Sequence, residues 1–533
     1  MPRTHVWSWC WSSSSLPSLL AALATSLLGG AAAAADLYVD ASAPGGGDGS
    51  QGAPLQQIQD GLALAQPGDV IHVAAGSYAP ITTVRAGTAD APIQVVADRS
   101  RSAIVQADGT GLTYDHDYHR FEGLVIDGAY GVGDLVRGGG GNHIAFVDVE
   151  VRRAGSDCFD LRTSTDILIE DSEIHHCVAL DAEGAVQDSH GVTGDSVFDL
   201  TIRRTEIGMV SGDCVQLSPS RLAWGNLVVE GSLLWAAPLD DADAGLAVGT
   251  PIGENAFDSK VGDDLDGNGA NPRVVIRDTV VHGFQGFITN QAAFNIKEAV
   301  DATLERVTIS DSELGLRLRG PAVARVRNAV IYAVDNAVRY EDGISGVELS
   351  NVTLGGGITG ELFEDGGGGG WSAPVVENLL VLEAALPADA SPASSLSVGP
   401  DAFADAAAHD YHLVEGSAAI DVGVALAAVT DDRDGVARPW GAGYDVGAYE
   451  WNPDAGTDTS GGDGTGGADS GSGDGADGSG SGASATAGGD ASASASGSGS
   501  GDDSGGTGSG AAGDDAGGCG CDTGGPRGAG SLL

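Results

Sequence analysis

The chain has 533 residues, 86 of them glycine, 19% charged residues and a net charge of −50. Acidity on this scale, with no basic stripe, excludes nucleic acid as a partner. A polyanionic sugar could approach only through a local basic patch or bound cations. Aromatics make up 5% of the chain and Val, Ile and Leu come in short runs. A single core rarely grows beyond ~300 residues except by repetition, so the composition predicts one long all-β body plus a disordered extension.

Residues 1–35 read as a signal peptide. Arg3 is the positive end, Leu16 to Leu28 the short apolar core, and Ala33-Ala34-Ala35 the cleavage site before Asp36. Ser26 and Gly29-Gly30 break the run, and no later segment is apolar enough to span a bilayer. The expectation is a secreted or outer-surface protein, monomeric and without a transmembrane helix. Past the leader remain Cys158, Cys177, Cys214, Cys519 and Cys521, an odd set that excludes a disulfide framework.

The folded part opens with a strand, Leu37-Tyr38-Val39-Asp40, and then Leu55, Ile58 and Leu62 at helical spacing. Pro67-Gly68-Asp69 turns into the strand Val70 to Val73, which Gly76-Ser77-Tyr78 ends. This order resembles the entry of secreted right-handed parallel β-helix proteins, and the resemblance implies an N-terminal helical cap over the core.

From Asn142 to Leu354 the chain repeats at roughly 21 to 47 residues, mostly within the solenoid range. Alternating strands open the units: Ile144 to Val151, Ile167 to Ile174, Leu200 to Ile207, Leu227 to Leu234, Val274 to Val281, Leu304 to Ile309, Val326 to Ile331 and Val347 to Leu354. Shorter second strands follow in all but the last, around Phe159, Val192, Val215, Phe257, Phe287, Leu316 and Val338. Coils stacked in parallel at ~4.8 Å explain how each unit buries apolar residues that it cannot bury alone. The predicted fold is an all-β, right-handed parallel β-helix over 36–373.

Residues 374–451 change character. Glu415-Gly-Ser-Ala-Ala-Ile-Asp421, Asp431-Asp-Arg-Asp-Gly435, Arg438-Pro439 and Tyr444-Asp-Val-Gly-Ala-Tyr-Glu450 resemble the C-terminal module of bacterial surface β-helix proteins, with Ala418 in place of the usual proline. The resemblance implies a β module packed on the helix end and a surface-anchoring context. Residues 452–533 are almost purely Gly, Ser, Ala, Asp and Thr, a composition that forms no core. Gly518-Cys519-Gly520-Cys521 resembles the cysteine element of a myxobacterial-type surface-sorting tail; a metal-ligand pair and a chance dipeptide are the other readings.

The chemistry centres on Gly253 to Lys260. Read as a strand, Glu254, Ala256, Asp258 and Lys260 share one face, while Asn255, Phe257 and Ser259 share the other. Aligning the second strands on their inward residues builds two outward columns. The first holds Asp160, Thr193, Gln216, Asp258, Ile288, Arg317 and Arg339; the second holds Arg162, Asp195, Ser218, Lys260, Asn290, Arg319 and Glu341. Asp157, His190, Asp213 and Asn255 lie on the approach side. One reading is a solvated face of ion pairs such as Arg162–Asp160 and Arg339–Glu341, each worth under ~1 kcal/mol. The other is a carbohydrate groove. Elimination at a uronate needs a base for the proton α to the carboxylate, and cations to neutralise that carboxylate. A lysine base needs its pKa depressed, whereas two carboxylates on its own strand raise it.

Gly155-Ser156-Asp157-Cys158-Phe159-Asp160-Leu161 resembles the calcium segment of a β-helical pectate lyase family, with Ser156 replacing one aspartate. Asn255 to Val261, followed by Val281 to Asn290, is similar to that family's lysine segment. The resemblance implies calcium on Asp157 and Asp160 and Lys260 as the base, with two coils between them. Neighbouring coils offer a more compact set of His190, Asp213, Glu254, Asp258 and Lys260. The expected assignment is Lys260, Asp258 and His190 as catalytic, Arg317, Arg319 and Asn290 as substrate-binding, and Asp157, Asp160, Asp213 and Glu254 as calcium ligands, with a polysaccharide as partner. A non-catalytic glycan-binding or adhesive surface protein and a plain structural stalk are the rival classes. Cys158 and Cys214 share a column with one coil between them, ~10 Å apart and beyond disulfide reach, so both are expected to be unpaired. Asp263 to Asn268 resembles a calcium loop without its closing Glu and reads as a polar loop.

Overall fold

The structure is a computed structural model and describes residues 34–263, 265–369 and 373–453. The leader and the tail with Cys519 and Cys521 lie outside the described residues. Three sheets run along the molecule. Sheet A has 13 strands, from Asp36–Val39 to Val375–Glu377; sheet B has 13, from Gly76–Tyr78 to Leu396–Val398; sheet C has 11, from Ile81–Thr82 to Phe363–Asp365. Each middle coil passes through C, A and B in turn, so neighbouring strands in a sheet come from successive coils and pair in parallel. This is a parallel β-solenoid.

Inward positions stay inward from coil to coil. In sheet C the row Phe159, Val192, Val215, Phe257, Phe294, Leu316 and Val338 is paired in register, and every member is fully buried. Phe159, Val215, Phe257 and Leu316 therefore line one wall, as the alternation predicts. Near the start, the short helix Ile58–Leu64 sends Ile58 and Leu62 into the same core. Gly61 permits that approach, because a Cβ there would meet the Ile71 side chain at 3.0 Å.

Each long alternating segment is in fact two strands on different sheets. Ile144–Val147 belongs to sheet A and Glu150–Ala154 to sheet B, with Asp148 left-handed between them at φ 52. Asp171, Arg204, Gly231, Asp278, Arg306, Asn328 and Asn351 do the same in later coils. The corner shifts the in–out alternation by one residue: Ile144 and Phe146 face the core before it, Val149 and Val151 after it, so the apolar pattern resumes at once on the next sheet. Asp and Asn enter this region most readily; Arg204 and Arg306 do so at a cost of roughly 1 kcal/mol. Toward the C-terminus the corner is built from buried asparagines, and Asn378 Nδ2 donates to Asn351 Oδ1 at 3.1 Å.

Three expectations are corrected. The sheet C strand of one coil is Ala292–Ile296, not Phe287 to Thr289: Phe294 pairs with Phe257, and Asn295 with Asp258 and Arg317. The Phe287 and Ile288 amides both donate to Gln291 Oε1, which holds that apolar trio in a turn, while Phe284 takes the buried place. Ile288 and Asn290 thus leave the outward columns. Second, Cys158 is bonded to Cys177, with Cα atoms 5.6 Å apart; Cys214 is free and buried. The two partners do not share a sheet: after one round of the coil, the chain brings Cys177 from the end of a sheet B strand back beside Cys158. Third, the last unit also reaches sheet C, through Phe363–Asp365.

Sheets A and B continue past 373 with Val375–Glu377, Leu380–Leu382 and Leu396–Val398. The antiparallel pair Phe403–Asp405 and Asp410–Leu413 follows. The remainder folds back along the asparagine corner. Arg438, fully buried, forms an ion pair with Glu450 at 2.6 Å and donates to Asn328 Oδ1 at 3.1 Å. Asn351 Nδ2 donates to the Asp445 carbonyl at 3.0 Å.

Candidate functional site

Strand alternation turns one polar column of sheet C outward. Arg137, Asp160, Thr193, Gln216, Asp258, Asn295, Arg317, Arg339 and Glu364 pair in succession. Two residues further along their strands stand Arg162, Asp195, Ser218, Lys260, Lys297, Arg319 and Glu341. Although the first column points away from the core, its middle stretch from Asp160 to Asn295 is buried. Among the described residues, buried polar atoms in and beside this stretch have no hydrogen-bond partner: His190 Nε2, Thr193 Oγ1, Gln216 Oε1, Asp258 Oδ1 and Asn295 Oδ1.

Lys297 is the residue that sequence reasoning missed. Its Nζ lies 2.8 Å from Asp258 Oδ2, and both side chains are largely buried. The signal was present, since Ala293-Phe-Asn-Ile-Lys297 repeats the frame of Ala256-Phe-Asp-Ser-Lys260. Lys260 occupies the neighbouring coil, half-buried, with no ion pair of its own among the described residues. Its backbone is pinned by the Trp224 Nε1 donation to the Lys260 carbonyl at 2.9 Å.

Around them sits a charged cluster. Asp213 is fully buried: Oδ1 accepts from the amide and Nδ2 of Asn255 at 3.0 and 2.7 Å, and Oδ2 from Gln216 Nε2 at 2.5 Å. Burial, then the charges of Asp213, Asp188 and Asp258, pushes the Glu254 carboxyl up to about 8. Burial lifts Asp258 to about 6, against the pull of Lys297. His190 lies between Asp157, at 2.9 Å from Nδ1, and Asp213, at 3.8 Å from Nε2. Burial alone would depress His190, but the Asp157 hydrogen bond and both carboxylate charges outweigh it and raise the imidazole to about 9. At neutral pH this histidine is a donor.

The structure thus brings together His190, Asp213, Glu254, Asp258 and Lys260, and it adds Lys297. Asp160 lies three coils from Asp258 and Lys260. It is tied to Arg162, and burial with the neighbouring Asp134 raises it to about 7. Asp157 spends one oxygen on the amide and ring of His190. The arginines form a second group: Arg317, Arg319 and Arg339 all contact Glu341. Asn290 joins them from its turn, its carbonyl accepting from Arg317 at 3.4 Å and its Oδ1 from Arg339 at 3.0 Å. Asp157, Asp160, Asp213 and Glu254 do not fit calcium as a common ligand set. Asp213 has both oxygens engaged, Asp160 stands apart, and no three His, Cys, Asp or Glu among the described residues form a metal-holding group.

No known family profile and no curated protein matches the chain. Among solved structures, a pectate lyase is similar at 15% identity over 78% of this chain and 96% of its own, with TM-score 0.46. A rhamnogalacturonan lyase shows 12% identity over 69% and 90%, with TM-score 0.45. An alginate lyase from Paenibacillus sp. shows 20% over 58% and 98%, with TM-score 0.43. Likeness at this level says nothing about chemistry.

Proposed function

We propose that the outer face of sheet C holds a polysaccharide laid across the coils and cleaves it by elimination beside a uronate carboxylate. The row of unpartnered buried polar atoms on successive coils, from His190 and Thr193 to Asn295, carries this reading. Each such atom costs ~1–3 kcal/mol when left unmet, so the row favours a ligand that supplies hydroxyls. The coils repeat at ~4.8 Å, close to the length of one sugar unit in an extended chain, so a polymer can meet each rung in turn. In this reading Lys260 takes the proton α to the carboxylate and His190 protonates the departing oxygen. Asp258 holds Lys297 in place, and Lys297, Arg317, Arg319 and Asn290 receive uronate carboxylates. Calcium enters only as an additive to be tested, because Asp157, Asp160, Asp213 and Glu254 do not form a common ligand set, and no step runs through it. The substrate lies outside the cell, in keeping with the leader-like residues 1–35; a mature N-terminus at Asp36 by mass spectrometry tests export.

The test is ultraviolet absorbance of unsaturated uronates released from polygalacturonate, alginate and rhamnogalacturonan, with calcium or with a chelator. Expected is a rise on at least one polymer, lowered about 100-fold or more in Lys260→Ala at unchanged melting temperature. No rise on any polymer, or an undiminished rise in the variant, removes the enzyme. Non-catalytic glycan binding is the second reading, favoured by the arginines already being occupied by Glu341; retardation of the protein in gels containing each polymer tests it.

A further inference from the structure

A different surface, the outer face of sheet B, carries a cavity of about 210 Å³ that the groove on sheet C does not use. His175, Gly208 and Trp235 lie in register across three coils of that sheet. A Cβ on Gly208 would sit 2.3, 2.5 and 2.6 Å from Cε2, Cδ2 and Nε1 of Trp235. Near-equal distances to three atoms about the ring fusion mean that the indole lies face down on the glycine of the preceding coil. Its rotation is fixed, because Nε1 donates to Glu206 Oε1 at 2.8 Å. The cavity that Trp235 lines is therefore offered a flat, immobilised aromatic face.

The opposite wall is a histidine pair. His175 Nδ1 and His176 Nδ1 are 2.6 Å apart, and their other nitrogens meet Glu150 at 3.4 Å and Asp240 at 2.7 Å. Ring nitrogens this close must share a proton, so all four nitrogens are engaged and none is left for a metal ion or a ligand. What remains for a ligand is carboxylate oxygen, from Glu206 and from Glu173, whose Oε1 already meets Arg101 at 2.5 Å. An apolar platform with an acceptor-only rim is complementary to a ring with one face of C–H groups and hydroxyl donors at its edge. We infer that this cavity is a binding site for a neutral pyranose, separate from the groove.

Saturation-transfer NMR on the full chain tests this with methyl β-D-glucopyranoside, methyl β-D-galactopyranoside and tetramethylammonium. Expected is transfer to the C–H protons of one face of at least one pyranoside. It falls about fivefold or more in Trp235→Ala and in Gly208→Ala, which expels the ring without deleting it. Glu206→Ala, on the exposed rim, serves where either variant fails to give a native far-ultraviolet spectrum. Lys260→Ala keeps the transfer, and Trp235→Ala keeps uronate elimination, so the two sites fail separately. Transfer to neither pyranoside, transfer undiminished in folded variants, or transfer only to tetramethylammonium overturns the proposal.

Discussion

Single residues set the electrostatics of the sheet C face. Glu254, raised to about 8 from an ordinary 4.5, and Asp258, raised to about 6 from 3.8, hold protons in the folded chain that they release when it unfolds. His190, raised to about 9 from 6.5, acts in the same sense above neutrality. A state that binds more protons is favoured at lower pH, so these groups stabilise the fold at low pH and that contribution is lost as pH climbs from about 5 to 9. The urea midpoint should therefore be lower at pH 8 than at pH 5, and Glu254→Gln, neutral throughout, should flatten the fall; an unchanged slope refutes the assignment. Much of this cluster was legible, because alternation on the Gly253 to Lys260 strand places Glu254, Asp258 and Lys260 on one face. Lys297 was masked despite repeating the frame of Lys260, because Phe287-Ile-Thr289 also has the look of a strand and the Gln291 side chain closes a turn on it instead. The Cys158–Cys177 bond escaped for a related reason: its partners lie on different sheets.

At the level of the element, only two residues separate a sheet A strand from the sheet B strand that follows it, too few for the one-residue shift in alternation to stand out. Eight segments consequently read as single strands though each turns a corner. Alternation reports which side a residue faces but not which sheet it belongs to. The C-terminal segment anchors on that corner through Arg438, whose side chain and that of Glu450 are 0% and 1% exposed. Arg438→Met keeps the bulk but leaves Glu450 buried without its counter-ion, which should cost about 3–5 kcal/mol. The loss should be local: limited proteolysis is expected to cut within 399–451 while 36–354 stays resistant. Equal resistance throughout would show that the ion pair does not hold the segment down.

Across the whole molecule, each middle coil pairs its strands only with the coils on either side of it, so the fold could be read from repetition even where single strands were misplaced. Damage should travel the same short way. Phe257→Ala, in the middle of the fully buried row, should cost about 3–5 kcal/mol. Hydrogen exchange should quicken in Val215–Leu217 and Ala292–Ile296 and remain at its original rate over 70–127; uniform acceleration would mean that the coils melt as one body. Such stacking has no inherent length, and that makes its last rung consequential. Sheet C stops at Phe363–Asp365, which carries Glu364 and Asp365 and meets the segment with Pro387 and Asp389 across a cavity. A second molecule arriving end-on would have to extend a ladder whose final step is anionic and overhung by a residue with no N–H to give. End-on addition through this sheet would therefore have to overcome that charge before any ladder bond could form.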